Sequence, residues 1–128
     1  MPNSPCLEWR TATMAVAISR WESNYNTKQH FKEPGLGYDS IGLFQLSYED
    51  AFTWCTVDKP SKSLEEPLNN VACAVPEMAR LAAKDKIISS PTIDDNRGLA
   101  HYWSVVRAGP KHKRAEIINA TKAAPGCS

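Results

Sequence analysis

The sequence contains no apolar run approaching the roughly 18 residues that a membrane-spanning helix requires, so an integral helical membrane protein is not expected. It also lacks a charge bias: 15 Lys and Arg against 14 Asp and Glu give a formal net charge of +1. No global field would draw nucleic acid or an anionic surface to such a chain. One dense basic cluster, Lys111, His112, Lys113 and Arg114, reads as a solvated helix start or loop. Cys6, Cys55, Cys73 and Cys127 lack the close paired spacing of a zinc site. Nothing else points to a metal, a nucleotide or another cofactor. The opening "MPNSPC" has neither a charged start nor an apolar segment, so no signal peptide is legible, and an exported protein would be read here in its mature form. Repeats, low-complexity tracts and convincing linkers are missing too, which leaves a single domain over residues 1–128.

What is present suits a globular protein. A chain of 128 residues buries roughly two-thirds of the surface it exposes when unfolded, and 42% apolar with 23% charged residues is ordinary for one. Four cysteines without metal spacing point to disulfides. Three pairings exist in principle; the nested one, Cys55 with Cys73 and Cys6 with Cys127, is favoured. Such bridges need an oxidising compartment, so a periplasmic or secreted protein is expected. The triplet Asn119-Ala120-Thr121 is a glycosylation sequon of the kind that also occurs by chance.

Leu7, Met14, Ile18, Trp21 and Tyr25 recur at helical intervals and predict one long buried helix from Leu7 to about Tyr25. Residues 26–40 read as a loop or a small irregular hairpin. After "IGLFQL", Ser47 caps a predicted helix with Asp50 three residues later and Ala51, Phe52 and Trp54 behind it. Leu68, Val71, Ala72, Val75, Met78, Ala79, Leu81 and Ala82 predict a buried helix bent or restarted at Pro76. "LAHYWSVVRAG" predicts a short apolar helix closed by Gly109 and Pro110, and residues 111–123 a last helix with Ile117 and Ile118 inward. The fold class is therefore α+β, mainly α, with a small β element between Gly35 and Leu46.

Three stretches stand out as chemistry. Glu22 closes the first helix, where the macrodipole and aromatic neighbours both disfavour a carboxylate and predict a raised pKa, as a general acid near neutral pH requires. In "SIGLFQLS" a glycine, an apolar pair and Gln45 suggest a tight turn that presents an amide at a surface. In "LAHYWS" Tyr102 offers a hydroxyl while its ring packs.

Taken together, "ESNYN", "GLFQLSYEDA" from Gly42, an Asn at 69 or 70, and "LAHYWS" resemble the lysozyme-like lytic transglycosylase domain and goose-type lysozyme. The resemblance covers about residues 12 to 110 and implies a lysozyme-like fold. It implies that Glu22 is the catalytic acid and that Ser23 and Asn26 hold its helix end. Gln45 would touch the sugar or order its loop, and Tyr102 would lie near the acid. Phe44 and Trp103 depart from the family's Met and Asn, the stretch between the first two motifs is longer, and the serine that steers the substrate's acetamido group has Ser40 as its nearest counterpart.

The implied reaction is cleavage of the β-1,4 bond between N-acetylmuramic acid and N-acetylglucosamine in peptidoglycan, by a monomer working on glycan strands. A second carboxylate about 6.5 to 9.5 Å from Glu22 would make an inverting hydrolase, one at about 5 to 5.5 Å a nucleophile. Without one, the substrate's own 6-hydroxyl closes an anhydro ring, which is lytic transglycosylation. Asp39 leads the candidates for that carboxylate, with Glu33 next and Glu49 expected at the surface. The altered serine suggests a taste for N-deacetylated sugars, whose ammonium could pair with these acids. The alternative is a catalytically silent peptidoglycan-binding module on the same scaffold.

Overall fold

The computed structural model describes residues 5–58 and 61–124, with side chains from residue 10 onward. It is mainly helical: α1 (Pro5–Ser23), α2 (Tyr48–Ala51), α3 (Pro67–Asp85) and α4 (Arg114–Lys122), with one antiparallel hairpin, β1 (His30–Lys32) and β2 (Asp39–Ile41). The mainly α, α+β class expected from the sequence is the one observed. The first strand precedes Gly35 instead of following it.

The chain forms two compact units, one from residues 22–80 and one from residues 1–21 with 81–128. In the 22–80 unit Ile41, Phe44, Leu46, Ala51, Leu64, Cys73 and Met78 are buried. Cys55 and Cys73 form the expected disulfide, with Cα atoms 5.6 Å apart. The expected Cys6–Cys127 bridge lies outside the described residues. In the other unit Ile18, Leu81, Leu99, Trp103, Val106 and Ile117 are buried. Trp21 is half-buried, with the Arg20 guanidinium 4.7 Å and the Lys113 ammonium 4.6 Å from its ring centre, a pair of cation–π contacts.

Several elements differ from expectation for identifiable reasons. α3 runs unbroken through Pro76, which sits on its exposed side, where water can take the carbonyl left without an N–H partner. Its inner face is Asn70, Cys73, Ala74, Glu77, Met78 and Leu81, while Leu68, Val71 and Val75 are exposed. The buried Glu77 is held by Arg80, whose Nε donates to it at 2.6 Å. "LAHYWSVVRAG" forms two short 3-10 turns, residues 98–101 and 104–106, instead of one helix. Gly98 starts them at φ 69°, with the Ile87 carbonyl so near that a Cβ would lie 2.3 Å from it, and Arg107 Nε takes the Ala100 carbonyl at 2.8 Å. Ser47 caps α2 through the Asp50 N–H at 3.0 Å, as its spacing predicts, yet α2 stops at Ala51 and leaves Phe52 exposed.

Candidate active site

The chain leaves α1 abruptly, with Asn24 and Tyr25 both in left-handed backbone, φ 52° and 63°. Asparagine tolerates that region, but for a tyrosine it is uncommon and strained. Such strain persists only where the surroundings over-determine it. The restraint begins at buried Ser23, whose Oγ donates to the Leu43 carbonyl at 2.9 Å. Glu22, half-buried in the last turn of α1, is thereby carried on a helix end fastened to the "GLFQ" loop.

That loop is rigid from within. Ile41 and Leu46 exchange backbone hydrogen bonds of 2.7 and 3.0 Å and close Gly42 to Gln45 between them. Gly42 has φ 77°, and a Cβ there would fall 2.5 Å from Asn70 Nδ2 and 2.6 Å from the Leu64 carbonyl; only glycine fits. Gln45, again left-handed at φ 50°, is buried, and its Nε2 donates to the Gly42 carbonyl at 2.9 Å and the Gln29 carbonyl at 3.2 Å. Its amide orders the loop from inside; the surface placement expected from sequence is not observed. Asn70, fully buried on α3, donates to the carbonyls of Ile41 and Leu64 at 2.9 and 3.0 Å and accepts the Phe44 N–H at 2.9 Å. One side chain thus satisfies the Phe44 N–H and the Leu64 carbonyl, which would otherwise be costly to bury, and adds a second donor to the Ile41 carbonyl already taken by the Leu46 N–H.

The hairpin carries the remaining carboxylates. Phe31 pairs with Ser40 and Lys32 with Asp39, and the pleat sends the neighbours Asp39 and Ser40 to opposite faces. Buried Ser40 donates its hydroxyl to Glu33 Oε1 at 2.6 Å. Asp39 instead lies 3.2 Å from His30 Nδ1, and His30 Nε2 lies 3.3 Å from Glu65 Oε1. The hydrogen bond to Asp39, aided by Glu65, raises the His30 pKa above the ordinary imidazole value despite the opposing effect of partial burial. Sequence reasoning missed His30. The signal available was positional, since residues diagonal across a short antiparallel pair share a face.

Of the residues singled out from sequence, Glu22, Glu33, Asp39, Ser40 and Gln45 all fall in the 22–80 unit, and Tyr102 falls in the other. There Tyr102 packs edge-to-face on Trp103, ring centres 4.9 Å apart, and Trp103 is a buried core anchor. The units also differ in charge. Residues 22–80 hold nine carboxylates against five Lys and Arg, and the rest of the chain five against ten. No helix among the described residues is long and apolar enough to cross a membrane.

No protein-family model matches the chain, and no curated protein matches it. Solved structures do. Wild-type form 2 of Bd0314 DslA, a Bdellovibrio protein, is 30% identical with a TM-score of 0.80. Two glutamate-to-glutamine variants of the same protein align at 28% and 29% identity with TM-scores of 0.79 and 0.78. Each alignment covers 93% of this chain and 68% of the other. The two varied glutamates of that protein stand eleven positions apart.

Proposed function

The chain belongs to the same family as Bd0314 DslA, and on that premise we propose that it cleaves peptidoglycan glycan strands between N-acetylmuramic acid and N-acetylglucosamine, with Glu22 as general acid and base. The observation that carries this reading is the fastening of the Glu22 helix end to the "GLFQ" loop by Ser23, with left-handed backbone on both sides of the tie. A glycosidase acid must be held in place as the leaving oxygen takes its proton, and this bracing serves that end.

Glu33 takes the role of second carboxylate in preference to Asp39. Asp39 is engaged by His30, whereas Glu33 is oriented by the Ser40 hydroxyl. Glu22 and Glu33 are also eleven positions apart, matching the interval between the two glutamates varied in Bd0314 DslA. Protonated Glu22 gives its proton to the glycosidic oxygen as positive charge grows on the sugar. Glu33 then activates water in a hydrolase, or Glu22 deprotonates the 6-hydroxyl in a transglycosylase.

Ser40 donates its hydroxyl to Glu33, which removes that donor from steering an acetamido group. With an excess of carboxylates in the same unit, this supports a preference for sugars bearing a free ammonium, that is, for N-deacetylated glycan. The Cys55–Cys73 disulfide supports work in an oxidising compartment, periplasmic or extracellular.

The test is digestion of acetylated and enzymatically deacetylated sacculi followed by mass spectrometry of the released muropeptides. Faster release from deacetylated material is expected. Products lighter by one water identify a transglycosylase and reducing-end products a hydrolase. A preference for acetylated sacculi would remove the deacetylation claim, and release from neither would leave a binding module.

A further inference from the structure

Within the unit of residues 1–21 and 81–128, two turns border a half-open cavity of about 370 Å³. One turn is closed by the Asp95 N–H on the Thr92 carbonyl and the other by the His112 N–H on the Gly109 carbonyl, both at 3.2 Å. Asp94, Lys111 and His112 line the cavity together with Ile93, which is 62% exposed. Opposite charges share this space, yet among the described residues no ion pair joins Asp94 to Lys111 or His112. Beside the cavity, Arg97 Nη2 meets Asp95 at 2.9 Å; Arg107 lines the cavity as well, its guanidinium donating to the Ala100 and His101 carbonyls at 2.8 and 3.4 Å while keeping its charge. Asp94 stands in left-handed backbone at φ 69°, a region that Asp and Asn tolerate.

An unpaired carboxylate and an unpaired ammonium lining one cavity are complementary to a ligand that carries both charges itself. We propose that this cavity binds a short zwitterionic peptide, its ammonium on Asp94, its carboxylate on Lys111, and its aliphatic portion on Ile93. The volume is at the small end of ligand pockets and suits one or two residues. The proposal rests on the glycan-cleavage reading for its biological source, because peptidoglycan strands carry peptide stems with both charges.

The test is an NMR titration of the protein with the free stem tripeptide L-Ala-γ-D-Glu-meso-diaminopimelate. Amide shifts at Ile93, Asp94 and His112 are expected, with binding weakened roughly fivefold, the scale of one or two exposed ion pairs, in Asp94→Asn, which suits left-handed backbone equally well, and in Lys111→Ala. No shifts at these amides in the parent, or shifts with unchanged affinity in both variants, would overturn the proposal while leaving glycan cleavage intact.

Discussion

Both units bury apolar side chains, but they differ in how far buried polar side chains organise the interior. In the unit of residues 1–21 and 81–128, large apolar side chains such as Ile18, Leu99 and Trp103 fill the interior. In the 22–80 unit the interior near Glu22 is organised by polar groups: Asn70 bridges three backbone groups, Gln45 two, and Ser23 ties a helix to a loop. Apolar packing tolerates adjustment, whereas a hydrogen-bonded frame holds its geometry or fails. A frame of the second kind suits a catalytic carboxylate. The net charge of +1 hides a parallel division, an acid-rich 22–80 segment and a base-rich remainder.

The largest effect on stability should come from the apolar interior. Trp103→Ala should cost about 4 kcal/mol, read from the urea midpoint. Asn70→Ala should differ in kind. It should cost about 3 kcal/mol, because the Phe44 N–H and the Leu64 carbonyl lose this partner and the Ile41 carbonyl keeps only the Leu46 N–H, and it should slow turnover even in molecules that remain folded. If Asn70→Ala lowered stability alone, the contrast between the two interiors would lose its functional meaning.

A smaller effect is expected at the disulfide. Replacing Cys55 and Cys73 together by Ser opens a closure of 18 residues and should cost about 2–3 kcal/mol, seen as a lower Tm that reductant reproduces in the parent. The smallest concerns His30. Its folded pKa is raised, principally by the hydrogen bond to Asp39, so the stability it adds is fully present below the unfolded value near 6.5 and is lost as pH rises through the folded value. Because His30, Asp39 and Glu65 are each about two-fifths exposed, that contribution should be under about 1 kcal/mol and shrink in high salt. His30→Gln should flatten the dependence of Tm on pH between 6 and 8; an unchanged slope would separate the hairpin's ion pairs from its stability.

Much of this architecture was legible in the sequence. The long helices α1 and α3, the Ser47 cap, the Cys55–Cys73 bridge and the tightness required at Gly42 followed from spacing and residue chemistry. The buried face of α3 did not, because its inner positions include Asn70 and Glu77, which hydrophobic periodicity assigns to solvent until their partners are known. The two 3-10 turns were hidden for a similar reason: Arg107 satisfies the Ala100 carbonyl from a distance, which no local pattern reveals. Glu22 was singled out through motif order, and the proposed preference for Glu33 over Asp39 draws on the strand register, which splits Asp39 from Ser40.

The central claim is that Glu22 is the proton donor held by this frame. The direct measurement is muropeptide release from the sacculi that the parent cleaves, comparing the parent with Glu22→Gln at matched circular dichroism and Tm. The variant should lose activity by about 10³-fold, within the range for removing a general acid, with no change in fold. Retention of activity within about tenfold of the parent would contradict the account and move the acid elsewhere in the molecule.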